Sequence, residues 1–202
     1  MTVCLLRHGR TAWNDQRRYL GLTDLPLTPE GTAELSAADF EVETVYTSPL
    51  LRARQTARII FPSAQPEVIE DFREMDFGGF EGRSADEMAD DPAYRAWVDG
   101  GCEGRCPDGE TRAEFCARSC RAFALLLERA AAEGRQRLVI VAHGGTLRAV
   151  MERFSLPACA YFDHFPPNGG GYALDYDPAL WMRERRLRLI GSVRYAKEAA
   201  PC

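Results

Sequence analysis

No apolar run in this sequence is long enough to leave water. The first one, Val3-Cys4-Leu5-Leu6, is closed by Arg7, whereas a membrane-spanning helix needs about 20 apolar residues and a secretory signal core about 7–15. Neither a membrane anchor nor a signal peptide is expected. Basic charge is not in excess either: 25 Lys and Arg stand against 30 Asp and Glu, a net charge of −5. Such a body has no general attraction for nucleic acid or anionic lipid, which removes both as expected partners. Internal repeats and low-complexity linkers are absent. Histidine is scarce, with only three residues, His8, His143 and His164, so the position of each carries weight. The seven cysteines (Cys4, Cys102, Cys106, Cys116, Cys120, Cys159 and Cys202) are an odd number, several in apolar surroundings. They suit a reducing compartment, and the expected location is the cytoplasm.

What is present is the pattern of an α/β protein. With 46% hydrophobic residues over 202 positions, the chain can bury roughly 70% of its unfolded surface, and residues 1–202 read as one domain. Strand-like and helix-like segments alternate, which predicts a three-layer sandwich with a mostly parallel central sheet flanked by helices. Val3–Leu6 and Leu138–Ala142 are continuous apolar runs, as strands covered on both faces require. Thr44–Thr47 and Glu67–Ile69 read as further strands, Tyr172–Tyr176 and Leu187–Val193 as antiparallel or edge strands. Thr28-Pro29 and Ser48-Pro49 each pair a capping hydroxyl with a proline at the first helical position. Thr111 and Glu114 predict a capping box for a long helix reaching Gly134, with Phe115, Ala122, Phe123, Leu126, Leu127 and Ala130 on its buried face. Residues 78–110, rich in Gly and Asp, are expected to form a cap insertion over the C-terminal edge of the sheet, with helices at Ser84–Ala89 and Pro92–Val98. The final Ala199-Ala200-Pro201-Cys202 is expected to fray.

The polar residues that interrupt this pattern fall at strand ends. Arg7-His8-Gly9 follows the first strand directly. Ser48 to Arg52 follow the second, with Arg52 in the opening turn of a helix, and Glu74 comes shortly after the third. His143-Gly144-Gly145 follows Leu138–Ala142, and a helix is expected to begin near Thr146. Carboxyl ends of parallel strands share one rim, where ligands bind. Two arginines there offer planar, bidentate donors that stay charged near pH 7. The helix N-terminus at Arg52 adds an anion site, and Gly9, Gly144 and Gly145 admit close backbone approach. The expected ligand is a phosphoryl group.

A neutral histidine beside it can attack phosphorus, and neighbouring arginines favour the neutral imidazole. His8 is the expected nucleophile, forming a phosphohistidine. His143, protonated once phosphate is bound, would donate to the phosphoryl oxygens. Glu74 would protonate the leaving oxygen and then take a proton from the attacking water.

These residues resemble a known family. Leu6-Arg7-His8-Gly9-Arg10-Thr11 with Asn14 is similar to the signature of the histidine phosphatases, the phosphoglycerate-mutase-like superfamily. Gly21 to Thr28 with Gly31, Ser48-Pro49-Leu50-Leu51-Arg52-Ala53, Glu74-Met75-Asp76-Phe77-Gly78 with Glu81-Gly82, and Ala142-His143-Gly144-Gly145 resemble its further blocks, in the family's order. The resemblance implies His8 as nucleophile, Glu74 as acid/base, and Arg7, Arg52 and His143 as catalytic phosphate ligands. It also implies Asn14, Thr23 and Gly144 as substrate-binding residues, with no cofactor and no metal. Arg10 departs from the glutamate of many relatives, which puts pocket charge in question. Phe77 stands where mutases carry tyrosine, and the length and the Glu-Met-Asp-Phe-Gly wording look most like α-ribazole phosphatases of cobalamin biosynthesis. The implied activity is hydrolysis of a small phosphate ester, α-ribazole 5'-phosphate first among candidates. A phosphoglycerate mutase, a broad-specificity or sugar phosphatase, and a non-catalytic phospholigand-binding module are the alternatives. A homodimer is compatible with the sequence.

Plainer readings compete at several positions. Two histidines and a glutamate also suit a metal triad, but Arg7 and Arg52 would repel a dication. Cys102/Cys106 and Cys116/Cys120 have a spacing open to zinc or a disulfide, yet the second pair suits helix packing. His164 reads as structural, Arg54 as a solvated helix residue, and Arg183 to Arg188 as a solvated strand edge.

Overall fold

The computed structural model of the chain describes residues 1–196; the expected fraying at 199–202 lies outside the described residues. The strands are β1 (Thr2–Arg7), β2 (Thr44–Thr47), β3 (Gln65–Val68), β4 (Arg137–Ala142), β5 (Ser155–Leu156), β6 (Gly170–Asp175) and β7 (Leu187–Arg194). They form one sheet in the order β3-β2-β4-β1-β6-β7-β5. β3, β2, β4 and β1 pair in parallel, and only β6 runs against its neighbours.

The alternation of side chains along β1 and β4 divides the core. Val3, Leu5, Leu138 and Ile140 face helices α5 (Arg112–Ala132) and α6 (Gly144–Phe154), packing on Phe123, Leu127, Val150 and Phe154. Cys4, Leu6, Val139 and Val141 face α3 (Leu51–Ile60) through Ala53, Ala57 and Ile60. Two buried faces explain the continuous apolar runs and make the three layers. α1 (Ala12–Asp15) and α2 (Pro29–Glu34) lie between β1 and β2, α4 (Pro92–Asp99) within the insertion, and α7 (Pro178–Glu184) between β6 and β7.

Helix boundaries differ from expectation where polar groups have other work. The Thr28 cap and the Thr111/Glu114 capping box form. Ser48 caps nothing: α3 starts at Leu51, and Asp24 Oδ1 accepts the Leu51 N–H at 2.6 Å. α6 begins at Gly144 rather than near Thr146, with His143 as its N-cap. Ser84–Ala89 forms turns rather than a helix. Met88 is pulled into the core, and Pro92 forces Asp91 out of helical geometry, where it caps α4. Arg183 belongs to α7, Arg185 is its left-handed C-cap, and only Arg188 lies on β7.

Residues 76–110 leave and return at one point. Glu110 N–H donates to the Asp76 carbonyl (2.9 Å), and Gly79 N–H to that of Pro107 (2.7 Å). The segment between them packs Phe80, Met88, Tyr94, Trp97 and Cys106 against Met75, Phe115 and Tyr161. Cys106 is thus a core side chain, and the six described cysteines are free.

Candidate active site

The parallel strands β1, β2 and β4 deliver His8, Ser48 and His143 to one rim, and the short 3₁₀ turn after β3 delivers Glu74. Because β6 runs the other way, its preceding loop arrives at the same rim. Gly169 N–H donates to the carbonyls of Arg7 (3.1 Å) and His8 (3.2 Å). Asn168 Nδ2 reaches the carbonyls of His8 (3.0 Å) and Gly9 (3.3 Å).

The two imidazoles lie 5.2 Å apart, centroid to centroid. His8 Nδ1 is 2.7 Å from the Gly9 carbonyl oxygen, which can only accept. That contact assigns the proton to Nδ1 and leaves the Nε2 lone pair free to attack. His143 has the opposite arrangement. Ser48 Oγ accepts the Leu50 N–H (3.2 Å) and lies 2.7 Å from His143 Nε2; with one lone pair already used, we assign its own proton to Nε2. The remaining proton of His143 is on Nδ1, buried without a partner. His143 can therefore donate from the neutral ring, without the protonation expected from bound phosphate.

Arg52 is fully buried, with Nη1 on the Thr23 carbonyl (2.9 Å) and Nη2 on that of Gly21 (2.7 Å). Arg7 Nη1 donates to the Pro166 carbonyl at 3.0 Å. In both arginines Nε is buried with no partner. Arg7, Arg52 and His143 thus each keep one unsatisfied donor, a costly state that an anion would relieve. Burial pushes the Arg52 guanidinium down to about 10, with Glu74, Asp24 and Glu81 opposing, so it remains a cation at neutral pH. Burial and then the positive charges of Arg52 and Arg7 hold His8 well below its ordinary 6.5. Burial, then Arg52, His8 and Arg7, do the same for His143.

The Glu74 carboxylate accepts N–H groups from Met75 and Gly145, each at 3.0 Å. A Cβ on Gly145 would stand 2.3 Å from Glu74 Oε1 and displace the carboxylate from its present place; a Cβ on Gly144 would make ordinary 3.5 Å contact with Arg7. The expected backbone approach at Gly145 is thus to the carboxylate rather than to ligand. Among the described residues, no group of three or more His, Cys, Asp or Glu is placed to hold a metal ion.

The other expected site residues take supporting places. Thr23 Oγ1 donates to Glu81 Oε2 (2.6 Å) while its carbonyl holds Arg52. Asn14 caps α1 through Oδ1, which also accepts from Asn168. Arg10 faces outward onto Asp15 (3.1 Å) and Glu34 (2.7 Å), which answers the question its departure raised about pocket charge. The His164 ring packs edge-on to Tyr172, and its carbonyl accepts Arg148 Nε at 3.1 Å. Ser48, Glu81, Asn168, the pair Arg118/Glu110, and Thr56, whose Oγ1 accepts the Gly9 N–H at 2.9 Å and donates to the Arg52 carbonyl at 2.7 Å, were not singled out as site residues from the sequence. Arg118 has a detectable signal, being a charged residue on the apolar stripe of α5.

The chain is similar to known proteins over most of its length. The histidine phosphatase superfamily (branch 1) matches residues 3–185. "Probable phosphoglycerate mutase GpmB" of Enterobacter sp. (strain 638) is 34% identical over 192 residues, covering 90% of this chain and 88% of that protein. "Uncharacterized phosphatase PhoE" of Bacillus subtilis (strain 168) is 32% identical over 163 residues, covering 76% and 77%. A structure described as a "putative alpha-ribazole-5'-P phosphatase" from Escherichia coli K-12 superposes with a TM-score of 0.80 at 25% identity, covering 99% of both chains.

Proposed function

The chain belongs to branch 1 of the histidine phosphatase superfamily, and on that premise we propose that it is a phosphomonoesterase acting through a phosphohistidine on His8. The observation that carries this reading is the set of unsatisfied buried donors on Arg7, Arg52 and His143 around an imidazole whose Nε2 carries the lone pair. His8 Nε2 attacks phosphorus as the ester bond breaks, and Glu74 gives its proton to the leaving oxygen. Glu74, now a carboxylate, takes a proton from the water that releases phosphate from His8. The donors of Arg7, Arg52 and His143 neutralise charge spreading over the phosphoryl oxygens, each worth roughly 100- to 1000-fold in rate. Asn14 and the Gly144 N–H are further ligands in this proposal, and Thr23 acts through Arg52.

A small, planar leaving group is favoured, with α-ribazole 5'-phosphate the first candidate. We assign the leaving group to the aromatic stretch before Asn168, where Arg148 stacks on Phe165 at 3.8 Å and Arg112 lies over Tyr161 and Phe162 at 5.2 and 5.4 Å. The arginines of the insertion and its return do not form a cluster that could hold a substrate carboxylate: Arg83 pairs with Asp91, Arg105 with Glu114, and Arg112 with Glu103. The similarity to GpmB favours a mutase as the second reading, which would move phosphate between positions without net release. We read residues 78–110 as a cap within a single domain of a cytoplasmic enzyme with no nucleic-acid partner. No helix among the described residues is long and apolar enough to cross a membrane.

Release of phosphate from α-ribazole phosphate, phosphoglycerates, sugar phosphates and an aryl phosphate tests the substrate reading. His8→Ala is expected to abolish both turnover and acid-labile phosphate on the protein. Wild-type activity in that variant would overturn the mechanism, and failure of the wild type to hydrolyse any ester would favour a binding module.

A further inference from the structure

Arg118, on α5, is 7% exposed and touches none of the proposed phosphate ligands directly. A guanidinium has five N–H donors, and its bonds fill all of them. Nε and Nη2 form a fork on the Glu110 carboxylate, both at 2.8 Å. Nη1 donates to the carbonyls of Asp71 (2.9 Å) and Arg73 (2.8 Å), and Nη2 also to that of Glu74 (2.8 Å). Glu110 Oε2 accepts the Asp76 N–H at 3.0 Å. Four backbone groups between 71 and 76 are therefore held by one buried ion pair, and Glu74 is in their midst. Burial pushes the Glu110 carboxyl up, but the Arg118 and Asp76 hydrogen bonds outweigh it and keep it below its ordinary value.

The Glu74 residue is thus gripped twice. Its carboxylate is fixed to the N-terminus of α6 by Gly145, and its main chain is fixed to α5 by Arg118. The Arg118 guanidinium also lies 5.0 Å from the Phe115 ring centre, and Phe115 packs where a side chain on Gly145 would stand. The two grips therefore share a support. We infer that Arg118 and Glu110 are positioning residues for the acid step, setting where the Glu74 carboxyl stands against the leaving oxygen. The step is the one given above: the His8 Nε2–phosphorus bond forms, the ester P–O bond breaks, and the Glu74 proton goes to that oxygen. The inference rests on the acid/base reading of Glu74, and it adds residues with no free donor to offer substrate.

The distinguishing measurement is a ratio. kcat/KM reports events through the first phosphoryl transfer, so it is compared for an alkyl phosphate, which needs its leaving oxygen protonated, and p-nitrophenyl phosphate, which needs this little. Partial unfolding lowers both values equally and leaves the ratio unmoved, so a bracing role alone does not change it. Arg118→Lys keeps the cation but cannot reach Glu110 and three carbonyls together. Glu110→Gln keeps the shape and removes the charge. Both are expected to slow the alkyl ester at least about tenfold more than the aryl ester, within the roughly 100- to 10,000-fold range of general acid catalysis. In the Glu74→Gln background, Arg118→Lys is expected to move the ratio no further. An unmoved ratio in both single variants, with Glu74→Gln still selective, overturns the positioning role alone. A ratio unmoved by Glu74→Gln overturns the acid role and this inference with it.

Discussion

At the scale of single residues, the two site histidines share the Nδ1–H tautomer but leave opposite nitrogens unpartnered, Nε2 in His8 and Nδ1–H in His143. In the proposed mechanism the Gly9 carbonyl frees His8 Nε2 for attack, and the Ser48 hydroxyl frees His143 Nδ1–H to donate. Burial and the two arginines hold both rings below 6.5, and this sets the sign of a pH effect. Below about pH 6.5 the unfolded chain binds protons that the folded protein refuses, so stability falls as the solution is acidified. The expected slope is about 1.4 kcal/mol per pH unit for each histidine until its folded-state value is reached. Urea unfolding between pH 7 and 5 checks this, and His8→Asn is expected to remove one share of the slope. A stability independent of pH in that range contradicts the burial of neutral rings. The gathering of Arg7, His8, Arg52 and His143 on one rim was legible because each ends or follows a strand or opens a helix, whereas Glu74 lies beyond a 3₁₀ turn after β3. What the surrounding side chains bind was less legible, since Thr23 bonds Glu81 and Asn14 accepts from Asn168, both from distant segments.

At the scale of elements, the strands were the most legible part. Continuous apolar runs admit few other readings, and β3 differed from expectation only by a shift of its ends. The two-residue β5 has no pattern to detect. Helix starts were read well where the cap is local, at Thr28 and Thr111, and missed where it comes from afar. Asp24 caps α3 across 27 positions of sequence, while the nearby Ser48 hydroxyl serves His143. Asp24→Ala is therefore expected to lower stability by about 1 kcal/mol, the usual worth of an N-cap. Arg52 is the next residue after the capped N–H, so affinity for inorganic phosphate is expected to fall in the same variant. Urea denaturation and phosphate titration read the two effects. Unchanged affinity would mean that Arg52 is held by Gly21 and Thr23 alone.

At the scale of the whole molecule, a net negative chain encloses a cationic, almost inaccessible centre: His8 is 3% exposed, Glu74 7%, and Arg52 and His143 0%. An oxyanion that satisfies the orphaned donors stabilises the folded state by mass action. At a vanadate concentration about 100 times its Kd, the gain is about 2.7 kcal/mol, or roughly 5–10 °C in Tm for a chain of this size. Thermal melts with and without vanadate test it, and Arg52→Ala is expected to lose the shift. The reversed direction of β6 has a consequence for redesign. The stretch that carries Tyr161, Phe162 and Phe165 ends at Asn168 and Gly169, which are bonded to the main chain of His8 itself. If this stretch selects the leaving group as proposed, selectivity and reactivity are wired in series: transplanting it from a relative is expected to retune the His8 imidazole unless those last two residues travel unchanged.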